Sequence, residues 1–304
     1  MPEMPEVETI VKGLDRKLKN RKIKDLWTDW SKYFRLPGTE KLFRKHIIGK
    51  RITGVSRRGK NVLIGLSDNH LMLIHQKMSG HLMVGKWEKS NRKNIADLPE
   101  NWQGQKWVPV PPKGPLTDPM NRFIRLIFFL DDGKMLALSD LRRFAKVLCA
   151  PREEIFNLPE IKTLGPEPLD RSFTFRSFRK IFDGKKGRIK QLLMDQSFIT
   201  GIGNIYADEI LWFSKIHPTT GVANLKEKDL KVLYAAIKKV LKKALRLRGS
   251  SIDDYRDSEG RRGTYELTRR VYQREGEPCY RCGTAIRRIK LGGRSAHFCP
   301  KCQK

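Results

Sequence analysis

This sequence is short of cysteine, short of acid, and without a long apolar run. Five cysteines in 304 residues cannot make a disulfide scaffold. Four of them fall in the last 26 residues as two Cys-x-x-Cys pairs, which points to a metal held in a reducing compartment. No stretch approaches the ~20 apolar residues of a membrane-spanning helix, and the first residues carry no apolar signal region. Acid is scarce where base is not: 33 Asp and Glu stand against 63 Lys and Arg, a formal charge of +30. So lopsided a balance points to a polyanionic partner, with nucleic acid the default. An anionic membrane surface is the competitor, and the missing apolar run argues against it.

What is present begins at the first residues, Met1-Pro2-Glu3-Met4-Pro5-Glu6-Val7-Glu8. Removal of the initiator Met is expected before a residue as small as Pro2 and leaves a free secondary amine. An α-amino group has a pKa of about 7.7–8.0, against about 10.4 for Lys, so part of it is neutral at physiological pH. Such an amine can attack a sugar C1′ and form an iminium, with the adjacent Glu3 as acid and base. Val7, Ile10, Val11, Leu14 and Leu18 recur at helical spacing, with Pro5 suited to the first turn. Composition alone reads the same stretch as an ordinary N-cap region.

From there to residue 150 the chain reads as short strands with tight turns, the pattern of a β-sandwich. Residues 51–56 are extended, and residues 61–66 and 70–75 flank Ser67-Asp68-Asn69 as a hairpin. Residues 123–130 and 134–138 flank Asp131-Asp132-Gly133 as another. Three strings here carry a plain reading and a chemical one. Ser56-Arg57-Arg58-Gly59-Lys60 is a solvated basic turn or a phosphate holder. Met78, in His75-Gln76-Lys77-Met78-Ser79-Gly80, is a core residue or a wedge. Asp140-Leu141-Arg142-Arg143-Phe144 is a charged turn with one core aromatic, or a probe that enters DNA. Residues 86–121 form a polar stretch rich in Pro and Trp, with no period, read as a surface insertion. Contact with DNA and cover of a sheet edge both remain open for it.

Proline density over residues 151–169 marks a linker, and Cys149 before it reads as a buried small hydrophobe. Helical patterns follow over residues 175–182 and 188–196, and a long amphipathic one carries Leu230, Leu233, Ile237, Val240, Leu241 and Ala244. Gly249 is a stop signal. Between them lies Thr200-Gly201-Ile202-Gly203-Asn204. It is either a plain turn or a close approach to phosphate at a helix start, with Asn204 adding an amide donor and Lys190 charge nearby. Residues 250–265 are a polar, Gly-punctuated loop. The sharpest signal comes last: Cys279, Cys282, Cys299 and Cys302 have four-thiolate zinc spacing, which makes a structural site because no position is left for water.

In this order the strings resemble bacterial formamidopyrimidine-DNA glycosylases over nearly the whole chain, apart from about 30 inserted residues. The resemblance rests on Pro-Glu-Met-Pro-Glu-Val-Glu-Thr after Met1, on Arg57-Arg58-Gly59-Lys60, on Leu164-Gly165-Pro166-Glu167-Pro168-Leu169, on Gly201-Ile202-Gly203-Asn204-Ile205-Tyr206-Ala207 and on the four cysteines. It implies an α+β multidomain protein. Residues 1–150 would be a catalytic β-sandwich with flanking helices, 151–169 a linker and 170–250 a helix-two-turn-helix domain. Residues 251–270 would be a lesion-capping loop and 271–304 a zinc-ribbon hairpin. It further implies Pro2 as nucleophile, Glu3 as acid/base and Lys60 on a phosphate beside the lesion. His75, Asn204 and Arg294 would hold DNA phosphates, with Lys190 as charge beside Asn204 at the DNA. Met78, Arg142 and Phe144 would fill the gap left by a flipped base, with Leu141 where the family has Pro. Glu6, Thr264 and Tyr265 would face the lesion.

The expected activity is a bifunctional DNA glycosylase and AP lyase of base excision repair, releasing oxidised purines from duplex DNA. The resemblance also implies one structural zinc, monomeric action and a place at the bacterial nucleoid in the cytoplasm. Two alternatives stand beside it: an endonuclease VIII-like enzyme for oxidised pyrimidines, and an inactive zinc-ribbon DNA binder.

Overall fold

A computed structural model describes residues 1–91, 96 and 98–304, so residues 92–95 and 97 of the inserted stretch lie outside the described residues. The chain forms two compact bodies. The first is residues 1–162 with 247–264, and the second is residues 163–246 with 265–304.

The first body is built on two sheets. One has the order β1 (Ile23–Thr28), β9 (Ile124–Leu130), β10 (Met135–Ser139), β6 (His81–Gly85). The other runs β2 (Phe34–Leu36), β11 (Lys146–Pro151), β5 (His70–His75), β4 (Asn61–Leu66), β3 (Ile52–Arg58), with β2 and β11 its parallel pair. Both expected hairpins form, β4 with β5 and β9 with β10. Asp68 and Asn69 take positive φ in the first turn and Gly133 in the second, which is why those positions carry Asp, Asn and Gly.

Alternation along the strands decides what each face meets. Leu126, Phe128 and Leu130 of β9, with Leu136 and Leu138 of β10, share one core with Val62, Ile64, Met72 and Ile74 of the other sheet. Helix α1 (Met4–Leu18) adds Val7, Ile10, Leu14 and Leu18 to that core, all fully buried. Each such side chain contributes on the order of 1.5–3 kcal/mol. Helix α2 (Glu40–Ile47) adds Phe43 and Ile47. Cys149 is in the same core, where burial pushes its thiol up to about 12. That makes it an inert hydrophobe, as its surroundings suggested.

The interleaved residues Met83, Ile127 and Ala137 point the other way, and the insertion covers them. Its hairpin of β7 (Trp87–Lys89) and β8 (Trp107–Pro109) sets Trp87 and Trp107 against that face, with Trp27 edge-on to Trp107 at 5.3 Å. The insertion therefore covers a sheet face, where the sequence left open contact with DNA or cover of a sheet edge. The apolar residues that select a face are the tryptophans, whose spacing has no period because the covering segment is irregular.

The stretch read as an irregular linker contains two short helices, α3 (Arg152–Asn157) and α4 (Pro159–Lys162). Its prolines start helices here: Pro151 is the N-cap of α3 and Pro159 the first residue of α4, positions where a missing N–H costs nothing.

The second body contains α5 (Phe175–Lys180), α6 (Ile189–Met194), α7 (Asn204–Ser214) and the 20-residue α8 (Glu227–Arg246). A hairpin of β12 (Arg287–Leu291) and β13 (Arg294–Phe298) completes it. The segment after α8 does not stay with this body. Residues 247–264 join the first, while Tyr265 onward belongs to the second, so the stretch read as one capping loop is divided at residue 264.

Candidate active site and nucleic-acid interface

The N-terminus is folded against the first body. Glu3 is the N-cap of α1 and forms a capping box with Glu6: its side chain accepts from the Glu6 N–H, while Glu6 Oε2 accepts from Glu3 N at 2.8 Å. The other Glu6 oxygen accepts from Ser250 N at 2.7 Å. This contact explains Gly249. With φ at +78°, a Cβ there would lie 2.6 Å from Glu6 Oε1, so the position needs glycine for close approach as well as for chain reversal. Pro2, Glu3 and Glu6 are all buried. The Met1 ammonium reaches Asp253 at 3.7 Å.

Lys60 follows the positive-φ Gly59 in the β3–β4 turn and is largely buried. It is not part of a solvated basic turn. Next to it, Arg57 Nε binds Glu8 at 2.9 Å and its Nη1 donates to Gly59 O at 2.8 Å, fixing the turn against α1. His75 ends β5, with its Nδ1 accepting from Lys77 N at 3.0 Å. Burial, with Lys77, Lys60 and Lys146 nearby, brings that ring down to about 3, so it is neutral at physiological pH.

Met78 and the Arg142–Phe144 loop are tied together by residues whose role the sequence did not reveal. Ser79 Oγ donates to Asp140 Oδ1 at 2.6 Å and accepts from Arg142 N at 3.0 Å. The fully buried Asp140 also accepts from Tyr33 OH at 3.1 Å and Ala145 N at 2.9 Å. Burial first, then the charge of Asp140, pushes the Tyr33 hydroxyl well above its ordinary value, so it stays a donor. Above this mount Arg142 is exposed and Phe144 is 52% exposed, with the guanidinium 4.8 Å over the ring. An apolar ring this open is not a core aromatic. Met78 and Arg142 line a cavity of about 500 Å³ with Met1, Met120, Asp253 and Asp254. Burial, with Asp253 beside it, raises the Asp254 carboxyl.

In the second body Asn204 opens α7, with Gly203 as N-cap and Gly201 at φ +89°. Gln196 shapes that turn: its Oε1 accepts from Gly201 N at 2.9 Å and its Nε2 donates to Ile202 O at 2.7 Å. Lys190 departs from expectation. It is 1% exposed, binds Asp208 Oδ1 at 2.7 Å and donates to Ser295 O at 2.5 Å. The other Asp208 oxygen accepts from His297 N at 2.9 Å. A lysine buried against a carboxylate joins α6 and α7 to the zinc hairpin, where the sequence suggested charge placed beside a phosphate.

Tyr265 departs likewise. It is buried, edge-on to Tyr206 at 5.2 Å, with its hydroxyl 3.4 Å from Glu209 Oε2. Glu209 also accepts from the N–H groups of Arg270, Val271 and Tyr272, so this end of the loop is anchored in the core of the second body. Thr264 bonds Leu247 O through both its N–H and its hydroxyl. Neither residue lines the cavity; from the same loop Ser251, Ile252, Arg256 and Arg262 do.

The four cysteine sulfurs lie within 4.8 Å of one another, a set that fits one tetrahedral zinc. Trp212 Nε1 and Arg281 N each donate to Cys279 Sγ at 3.4 Å, and Cys302 N donates to Cys299 Sγ at 3.4 Å. Donors aimed at sulfur favour thiolates. Arg294 stands exposed at the start of β13, where Gly292 and Gly293 turn the hairpin with positive φ.

The comparisons with known proteins agree along the length of the chain. Residues 1–147 match the formamidopyrimidine-DNA glycosylase N-terminal domain, 164–256 its H2TH domain and 276–304 the zinc finger found in FPG and IleRS. The formamidopyrimidine-DNA glycosylase of Desulforamulus reducens is 38% identical over 100% of this chain and 99% of its own. That of Heliobacterium modesticaldum is 37% identical over 100% of both. Among solved structures, a Lactococcus lactis FPG mutant with Fapy-dG containing DNA matches at a TM-score of 0.83 and 29% identity, covering 100% of both chains. The Lactococcus lactis Fpg with abasic-site DNA matches at 0.82 and 29%, over 99% of both. The chain belongs to the formamidopyrimidine-DNA glycosylase family and is a zinc-finger DNA-repair glycosylase.

Proposed function

We propose that this enzyme releases oxidised purines, 8-oxoguanine and formamidopyrimidines, from duplex DNA and then cleaves the abasic strand through a Schiff base on Pro2. The observation that carries this reading is the Pro2-Glu3 terminus beside the cavity that Met1, Met78 and Arg142 share. Once Met1 is removed, the Pro2 nitrogen becomes the terminal amine. The neutral amine attacks C1′ while Glu3 protonates the ring oxygen, the ring opens and the base leaves. The iminium acidifies the C2′ proton. Elimination breaks the 3′ C–O bond and then the 5′ one, leaving a one-nucleotide gap.

Met78, Arg142 and Phe144 occupy the space of the extruded nucleotide, which lowers the cost of flipping. Lys60, His75, Asn204 and Arg294 hold phosphates, and Glu6 acts at the lesion. His75, neutral as it is, does so as a hydrogen-bond donor and not as a cation. Zinc is structural. The enzyme acts as a monomer, in the cytoplasm at the nucleoid; among the described residues no helix is long and apolar enough to cross a membrane.

The test is borohydride trapping on an 8-oxoguanine:cytosine duplex, with Met1 shown by mass to be absent. A covalent band that vanishes in Pro2→Gly supports the reading. Trapping on an abasic duplex alone shifts the base preference toward oxidised pyrimidines, and a DNA carrying one of those is bound by the Lactococcus lactis relative. No band on either leaves a DNA-binding protein without this chemistry.

A further inference from the structure

The inserted stretch does more than cover a sheet. It ends in two short 3₁₀ turns, Pro115–Thr117 and Pro119–Arg122, with Asp118 between them. Asp118 Oδ1 accepts from Met120 N at 2.9 Å and from the Arg256 guanidinium at 2.8 Å. Arg256 is 3% exposed, and its Nη1 donates to Tyr255 O at 2.7 Å. Three residues further on, Asn121 is fully buried. Its Nδ2 donates to Pro115 O at 2.9 Å and to Gly260 O at 3.2 Å, and its Oδ1 faces His81 Nε2 at 2.9 Å. Gly260 has φ +79°, and a Cβ there would meet Asn121 Nδ2 at 2.6 Å and Pro115 O at 2.9 Å. From the other side, Val84 N on the sheet-edge strand β6 donates to Ser258 O at 2.9 Å.

Residues 256–260 are thus fastened at both ends to the insertion and in the middle to β6. Those fastenings sit on the cavity. Arg256 and Met120, one of the two residues between Asp118 and Asn121, both line it, and so does Arg262 two residues past the fastened stretch. A cavity near 500 Å³ is of the size that holds a small planar ligand such as a purine, and its walls set what fits.

We propose that Asp118 and Asn121 are positioning residues for base recognition: they hold the loop of residues 251–262 at the depth that fits the cavity to a flipped purine. This rests on the glycosylase reading above. An abasic site brings no base to the cavity, so the two steps of the enzyme should respond differently. Asp118→Asn keeps the shape of the side chain and removes the charge facing Arg256.

The experiment measures single-turnover 8-oxoguanine release, and separately cleavage and borohydride trapping on a preformed abasic duplex. In Asp118→Asn we expect base release to fall about ten- to a hundred-fold while abasic cleavage stays within about two-fold of the parent, as expected for misplaced but intact binding groups. Asp118→Glu, which restores the charge, should recover part of the loss. Asn121→Ala, which leaves no buried charge unpaired, should show the same split, and it decides the matter if Asp118→Asn does not fold. Equal loss of both steps, or loss of neither, overturns the positioning role. Absence of base release by the parent enzyme overturns the glycosylase reading, and this proposal with it.

Discussion

At the scale of the residue, the site depends on buried polar groups that mount the exposed ones. Asp140 shows it: one carboxylate gathers Tyr33, Ser79 and Ala145, and the result is the presentation of Arg142 and Phe144. His81 is the counterpart on β6. Burial first lowers its pKa from 6.5 to about 4, although Asn121 pulls the other way. The sign follows from linkage. Above 6.5 both states are neutral and the full stability is present. As pH falls below 6.5 the unfolded chain takes up a proton that the native ring refuses until about 4, so stability is lost across that window. The loss by pH 4 is on the order of 3 kcal/mol. Melting temperatures from pH 7.5 to 4.5 should therefore fall more steeply for the parent than for His81→Gln, which cannot take up that proton; parallel curves would refute it. None of this was legible beforehand. A His in a strand and an Asp in a charged turn look ordinary, because burial is a property of packing and not of the string.

At the scale of the element, legibility followed local chemistry. Hairpins with Asp-Asn or Asp-Gly turns, the apolar stripe of α1 and the four thiolates could be read because each is fixed by residues close in sequence. The insertion could not, since the apolar groups that answer its tryptophans lie on β6, β9 and β10. The partners of Lys190 and Tyr265 were hidden for the same reason. A Lys near a Gly-rich turn and a Tyr in a polar loop suggest ligands, and only the fold brings Asp208 and Glu209 to them. The zinc hairpin allows an elemental test. Trp212 donates to Cys279, so its fluorescence reports the site. Cys279→Ser or a strong chelator should change that emission, release one zinc per chain and lower DNA affinity through Arg294, because metal binding supplies the folding energy of so small a unit. Intact Trp212 emission and unchanged DNA binding after zinc release would count against it.

At the scale of the whole molecule, the governing quantity is the charge of +30. Charge of this size sets on-rate and non-specific affinity without choosing a lesion; that choice falls to a few side chains around one cavity. Many of the cations are already committed within the protein, as Arg57 is to Glu8, Lys190 to Asp208 and Arg256 to Asp118. Net charge therefore overstates the number that meet phosphate. The salt dependence of binding counts those that do, with a slope of log K against log salt of about −0.9 per phosphate neutralised. Replacing the exposed Arg294 by Ala should flatten that slope by about 1 and weaken undamaged and damaged duplexes alike. Replacing the buried Lys190 should leave the slope unchanged and lower the melting temperature instead, since removing one partner strands Asp208 beneath the surface. A flattened slope for Lys190→Met with normal stability would return that lysine to the DNA interface and show that its ion pair opens when the duplex arrives.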